Sequence, residues 1–394
     1  MALTQIPLDQ LSERHLQALI AAQTVETLRI EYKRETYGAN DEQKKEFLAD
    51  ISSFANSAGG DLLIGMAAVD GVPTAVTPVP GDADAERLRL ESIARSGLEP
   101  RIPQLQTALV PVAGGHVIVV RIPKSYNPPH RVVFKGSGKF WFRTSGGKYE
   151  PNVGELRRIF SEAPLLADRI RAFRQERVGR IAAAETPIRL AGDCLMALHV
   201  VPYSALDRTV ALSVAELERS AFAFAPLGRT RGTHHYVNFD GFVVLSNAND
   251  GPEQTHHSYA QVFRDGFVEA VATIDRTDGA VIASNVDKYG VANTKRIIDA
   301  LTSFGVEPPF AVLVSLIGIK NRKITSGVDG LLAPYEDPVL KQEMLHFVEI
   351  VLESAPANLN ESAIRLAPLL EQIWNTAGFA SLPTIRDGRW IFAN

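Results

Sequence analysis

Two stretches of this 394-residue chain carry side chains whose types and spacing could act on a phosphate. The first is Glu26-Thr27-Leu28-Arg29-Ile30-Glu31-Tyr32-Lys33. Residues two apart in an extended strand share a face, so Glu31 and Lys33 stand side by side. A carboxylate beside an ammonium can hold a divalent cation and steer a scissile phosphate. Glu26 lies an odd number of residues before Glu31 and falls on the opposite face of a straight strand. It joins such a site only if the chain turns between them, which a change from helix to strand near residue 26 permits. Asp70, in the Asp70-Gly71 turn, would supply a third acid. The plainer alternative is that Glu31 and Lys33 form the solvated face of a strand.

The second stretch runs from His116 to Tyr149. It holds seven cations (Arg121, Lys124, Arg131, Lys135, Lys139, Arg143 and Lys148) and no Asp or Glu, in a chain whose net charge is −4. Tyr126, Phe134, Phe140, Trp141 and Phe142 are interleaved with them. Lysine and arginine neutralise phosphates and release counterions, and exposed rings stack on unpaired bases. The alternative is a solvated hairpin with its aromatics in the core, which Phe140 and Phe142 fit better.

The elements that must position these residues follow from periodicity. Leu8, Leu11, Leu16, Leu19 and Ile20 predict a short amphipathic helix over 8–24. Residues 27–34 alternate as a half-buried strand. A helix to about Ser57, with Phe47, Ile51, Phe54 and Ala55 as its stripe, ends at Gly59-Gly60. A buried strand over Leu62–Met66, a helix over 84–96, strands over Val117–Ile122 and Phe140–Arg143 and a helix over 153–161 complete an α+β domain. An arginine-bearing helix over 164–185 connects it to a second α+β domain. That domain is expected to have strands at Leu195–Val201 and Phe310–Ile319, loops bearing Gly and His over 228–258, and helices near 336–354 and 361–376. The chain divides as 1–162, a connector over 163–189, and a C-terminal domain of unknown role over 190–394.

With these residues in place, Glu26–Lys33, Ser53-Phe54-Ala55-Asn56-Ser57-Ala58-Gly59-Gly60 and Asp70-Gly71 together resemble the AlbA-like domain of the Schlafen family. So do Pro128-Pro129-His130 and the strand Phe140-Trp141-Phe142-Arg143. The resemblance covers roughly residues 15–160. It implies a nucleic-acid-engaging domain. Because RNA-cleaving Schlafens bind a divalent metal through three acids, it also implies Glu26, Glu31 and Asp70 as ligands of Mg²⁺ or Mn²⁺, with Asp61 an outside candidate for the third. Lys33 would then neutralise charge developing on the phosphate. The implied activity is an endoribonuclease acting on structured RNA such as tRNA, with DNA possible as a partner, in a bacterial stress or phage-defence setting. The animal enzymes have two such lobes and this chain has one, so a homodimer is implied. The rival reading is a non-catalytic DNA- or RNA-binding regulator whose C-terminal half senses a ligand or partner. A third is an assembly protein whose second domain does the work.

Other classes are disfavoured. Gly136-Ser137-Gly138-Lys139-Phe140 lacks the spacing and the following Ser/Thr of a phosphate loop, and a helix C-terminus at Gly59-Gly60 repels phosphate. His234-His235 and His256-His257 have no nearby cysteine and read as polar loop residues rather than a zinc site. No Gly-x-Ser-x-Gly elbow is present. A lone cysteine, Cys194, fits a reducing cytoplasm. The N-terminus lacks signal-peptide character, and the longest apolar run, near Phe310–Ile319, falls short of the roughly 20 residues a membrane span needs.

Overall fold

The structure is a computed structural model that describes residues 3, 6–103, 105–206, 210–228, 233–247, 254–274, 278–328, 330–331 and 336–393. It comprises two compact units, Met1–Ala167 and Asp168–Asn394. Both mix helices and sheet, so the chain is α+β throughout.

In the first unit, α1 (Glu13–Ala21) precedes β1 (Ile30–Lys33), α2 (Asp41–Ala55) and β2 (Gly60–Ile64). The hairpin β3 (Met66–Val69) and β4 (Val72–Val76) turns at Asp70-Gly71, and α3 (Ala83–Gly97) and β5 (Leu98–Glu99) follow. Then come β6 (Gln106–Val112), β7 (Gly115–Ile122), β8 (Arg131–Val132), β9 (Phe142–Thr144) and β10 (Gly147–Tyr149). The main sheet has the order β1-β2-β7-β6, with β1 parallel to β2 and Glu31 opposite Leu62. Asn40 caps α2 by accepting the Gln43 N–H at 2.8 Å, and Asp41 and Glu42 complement the dipole of its first turn.

The pleat sorts residues between two helical layers. Phe47, Leu48, Ile51 and Phe54 of α2 meet Leu62, Ile64, Ile118 and Val120 on one face of the sheet. Leu16 and Leu19 of α1 meet Ile30, Tyr32, Leu63, Val117 and Val119 on the other. Because Ile30 and Tyr32 go to the α1 side, Glu31 and Lys33 must point to the α2 side.

The division between units falls inside α4 (Val153–Ala182), which joins the helices expected at 153–161 and 164–185 into one. The second unit continues with β11 (Leu195–Pro202), α5 (Tyr203–Leu206), α6 (Val214–Arg219), β12 (Thr233–Val237), β13 (Gly241–Ser246), β14 (Ser258–Phe263), β15 (Val268–Thr273) and β16 (Val281–Ile282). After α7 (Ala283–Ser303) come β17 (Phe310–Ile317), β18 (Ile324–Thr325), β19 (Met344–His346), β20 (Ile350–Leu352), α8 (Leu359–Arg365) and α9 (Ala367–Thr376). The large sheet runs β12-β13-β14-β15-β11-β17-β19, with β20 also on β17.

Two expectations for this unit are corrected. The stretch 228–258, read as loops, contains β12 and β13 and puts His234 and His235 in a strand; residues 229–232 and 248–253 lie outside the described residues. The helix expected over 336–354 is instead the pair β19 and β20, because the edge of β17 is open and takes both. Helix α7 was not foreseen. Its buried face includes Ser284, Asp287, Gly290, Asn293 and Thr294 among the apolar residues. No helix among the described residues is long and apolar enough to cross a membrane.

A fully buried carboxylate ties this sheet to α4. Glu269 on β15 accepts from Arg177 Nε at 2.8 Å and Nη2 at 2.9 Å, from Tyr259 Oη at 2.8 Å and from His199 Nε2 at 3.0 Å. Burial works to raise the Glu269 carboxyl, but the bonds from His199 and Arg177 outweigh it and bring it from 4.5 to about 2. The unfolded chain therefore takes up this proton first. The resulting stabilisation, roughly 3 kcal/mol, is complete above pH 4.5 and is lost as pH falls towards 2. Denaturant unfolding followed across that window by tryptophan fluorescence should show the decline, and Glu269→Gln should remove most of it; an unchanged profile would contradict the assignment.

Candidate nucleic-acid interface

The chain does turn after Glu26. Thr27 N–H donates to Ile30 O at 3.1 Å, and Glu26 Oε1 accepts the Tyr32 N–H at 2.8 Å. β1 is the edge of its sheet, so this carboxylate occupies the position a further strand would take. Glu26 N–H in turn donates to Gly71 O at 2.8 Å, which brings Glu26 beside the Asp70-Gly71 turn, where Asp70 adopts φ 51°.

Glu31 and Lys33 share a face as expected, but that face is half-buried rather than fully solvated. Lys33 Nζ lies 2.7 Å from Glu31 Oε1 and 3.3 Å from Asp50 Oδ2. Asp50 is 1% exposed on α2; it also accepts from Tyr37 Oη at 2.5 Å and from Lys148 Nζ at 2.6 Å. Lys148 reaches Glu46 as well. Arg143 Nη1 donates to Glu31 Oε2 at 2.6 Å, and its guanidinium lies 3.9 Å from the centroid of Phe54. Three acids and three cations thus neutralise one another beneath β1, α2 and the β9–β10 hairpin. Burial and the Glu31 charge raise the Asp50 carboxyl, against Lys33 and Lys148. Burial also works to raise Glu31, but Lys33 and Arg143 outweigh it and hold Glu31 below the usual carboxylate range.

This arrangement does not fit a divalent metal on Glu26, Glu31 and Asp70. Both oxygens of Glu31 are occupied by cations, and Glu26 is turned to the strand edge. Among the described residues no group of three or more His, Cys, Asp or Glu is placed to hold a metal ion. Asp61, the outside candidate, is buried in an ion pair with Arg121 at 2.8 Å.

The seven cations of 116–149 divide into two sets. Arg121 is tied to Asp61 and to the carbonyls of Leu3 and Ile6, both at 2.7 Å. Arg143 and Lys148 belong to the network just described. These three have their partners within the fold. The other four reach the surface. Lys135 is 63% exposed, with Asp41 at 4.0 Å. Arg131 and Lys139 pair with the surface acids Glu99 and Glu150, and the half-buried Lys124 lies 5.2 Å from the Tyr126 ring centroid. Phe142 is buried, while Phe134 and Trp141 lean on the core with their outer parts open.

The segment bearing these four cations is fastened to the end of α2. Ser125 N–H donates to Ala55 O at 2.8 Å. The Asn56 side chain accepts from His130 N at 2.7 Å and donates to His130 O and Trp141 O, both at 3.0 Å. Ser57 Oγ accepts from Arg143 N at 3.0 Å. Gly59 and Gly60 are needed for approach: a Cβ would lie 2.5 Å from Lys124 N at the first and 2.3 Å from Arg29 O at the second. Tyr37, Glu46 and Asp50 were missed from sequence. The signal for them was an acid, Asp50, on the apolar stripe of α2 between Phe47 and Ile51.

Residues 26–152 match the family model described as Schlafen, AlbA_2, and this part of the chain is a Schlafen AlbA_2 domain, which supports a nucleic-acid partner. Solved structures similar to the chain include the N-terminal domain of a RecG-related protein from Nitrosomonas europaea. The two are 24% identical, over 36% of this chain and 95% of that one, with TM-score 0.28. The DIP2311 protein from Corynebacterium diphtheriae is 16% identical, over 37% of this chain and 29% of that one, with TM-score 0.26. No curated protein matches the chain.

Asn56→Ala should remove all three side-chain bonds and strand the buried His130 N–H, at a cost of about 2–4 kcal/mol. A shift in the denaturant midpoint reads this out, and a loss under about 0.5 kcal/mol would show that Asn56 is not the fastener.

Proposed function

We propose that the Schlafen AlbA_2 domain is a nucleic-acid-binding module that grips the phosphate backbone through Arg131, Lys135 and Lys139, with Lys124 at the near end of the same segment. The observation that carries this reading is the division of the cations. Those facing inward are neutralised by buried or half-buried acids, whereas Arg131, Lys135 and Lys139 face the exposed acids Glu99, Asp41 and Glu150. Exposed pairs contribute about 0–1 kcal/mol and give way to a phosphate at little cost. The segment itself has no acid between His116 and Tyr149. Its attachment to α2 at residues 125, 130 and 141 supports a preformed surface, which spares the ordering cost a mobile loop would incur on binding.

The endoribonuclease reading asks more of the molecule. A metal held by Glu26, Glu31 and Asp70 would have to compete with Lys33 or Arg143, both largely buried, for an oxygen of Glu31. The binding reading needs no such competition, and on it Lys33 is a structural counter-charge to Glu31 and Asp50.

Binding of the full chain to labelled RNA and DNA should weaken with salt, with a log–log slope that counts the phosphates neutralised. The triple variant Arg131→Glu, Lys135→Glu, Lys139→Glu should bind weakly and flatten that slope by about one unit for each phosphate no longer neutralised. Unchanged affinity and slope would remove this segment as the interface.

A further inference from the structure

We infer that Trp141, with Lys139 and Glu150, forms a subsite for one unpaired nucleotide, so that the module prefers single-stranded segments to duplex. This rests on the binding reading above and specifies its substrate class.

Trp141 is half-buried: one part of it leans on the α2 core, and its carbonyl is held by Asn56. Two ammonium groups lie by its ring, Lys139 Nζ at 5.6 Å from the centroid and Lys148 Nζ at 5.9 Å. The two differ in what restrains them. Lys148 is bound to buried Asp50 and to Glu46 and stays in place. Lys139 is 56% exposed and is paired across the surface with Glu150, itself 47% exposed. An exposed pair of this kind is weak, so Lys139 can exchange Glu150 for a phosphate and swing off the ring. Its departure from the ring face makes room for a base, which stacks on an indole irrespective of sequence. A paired base offers no free face of this sort, because its neighbours in the duplex already cover it. Glu150 is then an internal competitor for the phosphate.

The chain supplies its own probe. Of its three tryptophans, Trp374 and Trp390 are buried in the second unit, both donating indole N–H to Asp287 at 2.9 Å. Trp141 alone lies beside the cationic segment. Titration of the full chain with a short single-stranded oligonucleotide, as RNA and as DNA, should quench tryptophan emission saturably; the matching duplex should bind with little quenching. Trp141→Leu should remove the quench and weaken single-strand binding about tenfold, with duplex binding changed less than about twofold. Glu150→Gln, which leaves the core untouched, should tighten single-strand binding by about two- to threefold, and Lys139→Gln should weaken it. Binding without quenching, equal affinity for single strand and duplex, or no gain from Glu150→Gln would each overturn the subsite while leaving the interface intact. Absence of binding to any of these nucleic acids would overturn both.

Discussion

A carboxylate almost entirely removed from water, Asp50, sets the terms for the first unit. An unpaired buried charge costs several kcal/mol, so counter-charges must converge on it from whichever elements pass nearby. Lys33 comes from β1, Lys148 from β10, and Tyr37 from the turn before α2. Glu31 balances the excess positive charge and brings in Arg143 from β9, whose guanidinium lies over Phe54. With Glu46 on Lys148, strand, helix and hairpin are thereby held by a neutral set of charges that borders the α2 core at Tyr37 and Phe54. Glu31 and Lys33, two of the four residues that the resemblance points to as catalytic, are held within this arrangement.

The same logic explains the glycine-rich motif. The end of α2 is a junction at which Ala55, Asn56 and Ser57 use their hydrogen-bonding groups to hold residues 125, 130, 141 and 143, and where Gly59 and Gly60 let backbones approach. What the motif fixes is the position of the cationic segment. On the proposed reading, a change there would alter binding through the position of the segment rather than through contact.

Much of the first unit was legible because it obeys simple periods. The stripe of Phe47, Ile51 and Phe54 and the Asp70-Gly71 turn appear as expected, and the strand expected over 27–34 is shortened to Ile30–Lys33 by the turn at Thr27. The side of β1 on which Glu31 and Lys33 lie followed from the pleat; what covers that side did not, because it is set by Asp50, Arg143 and Lys148 through contacts remote in sequence. Charge counting along 116–149 found the cationic segment but could not separate Arg121, Arg143 and Lys148, whose partners lie on other elements. The second unit was less legible. The strands over 344–352 exist because β17 has an open edge to pair with.

The central claim is that Glu31 and its partners are structural and that the module binds without cutting. Incubation of the full chain with total tRNA, in Mg²⁺, Mn²⁺ or EDTA, beside Glu31→Gln, addresses it directly. Intact RNA is expected in every lane, shifted on a native gel whether or not metal is present. Discrete fragments that require the metal and vanish with Glu31→Gln would contradict it and return Glu31 to the role of a metal ligand.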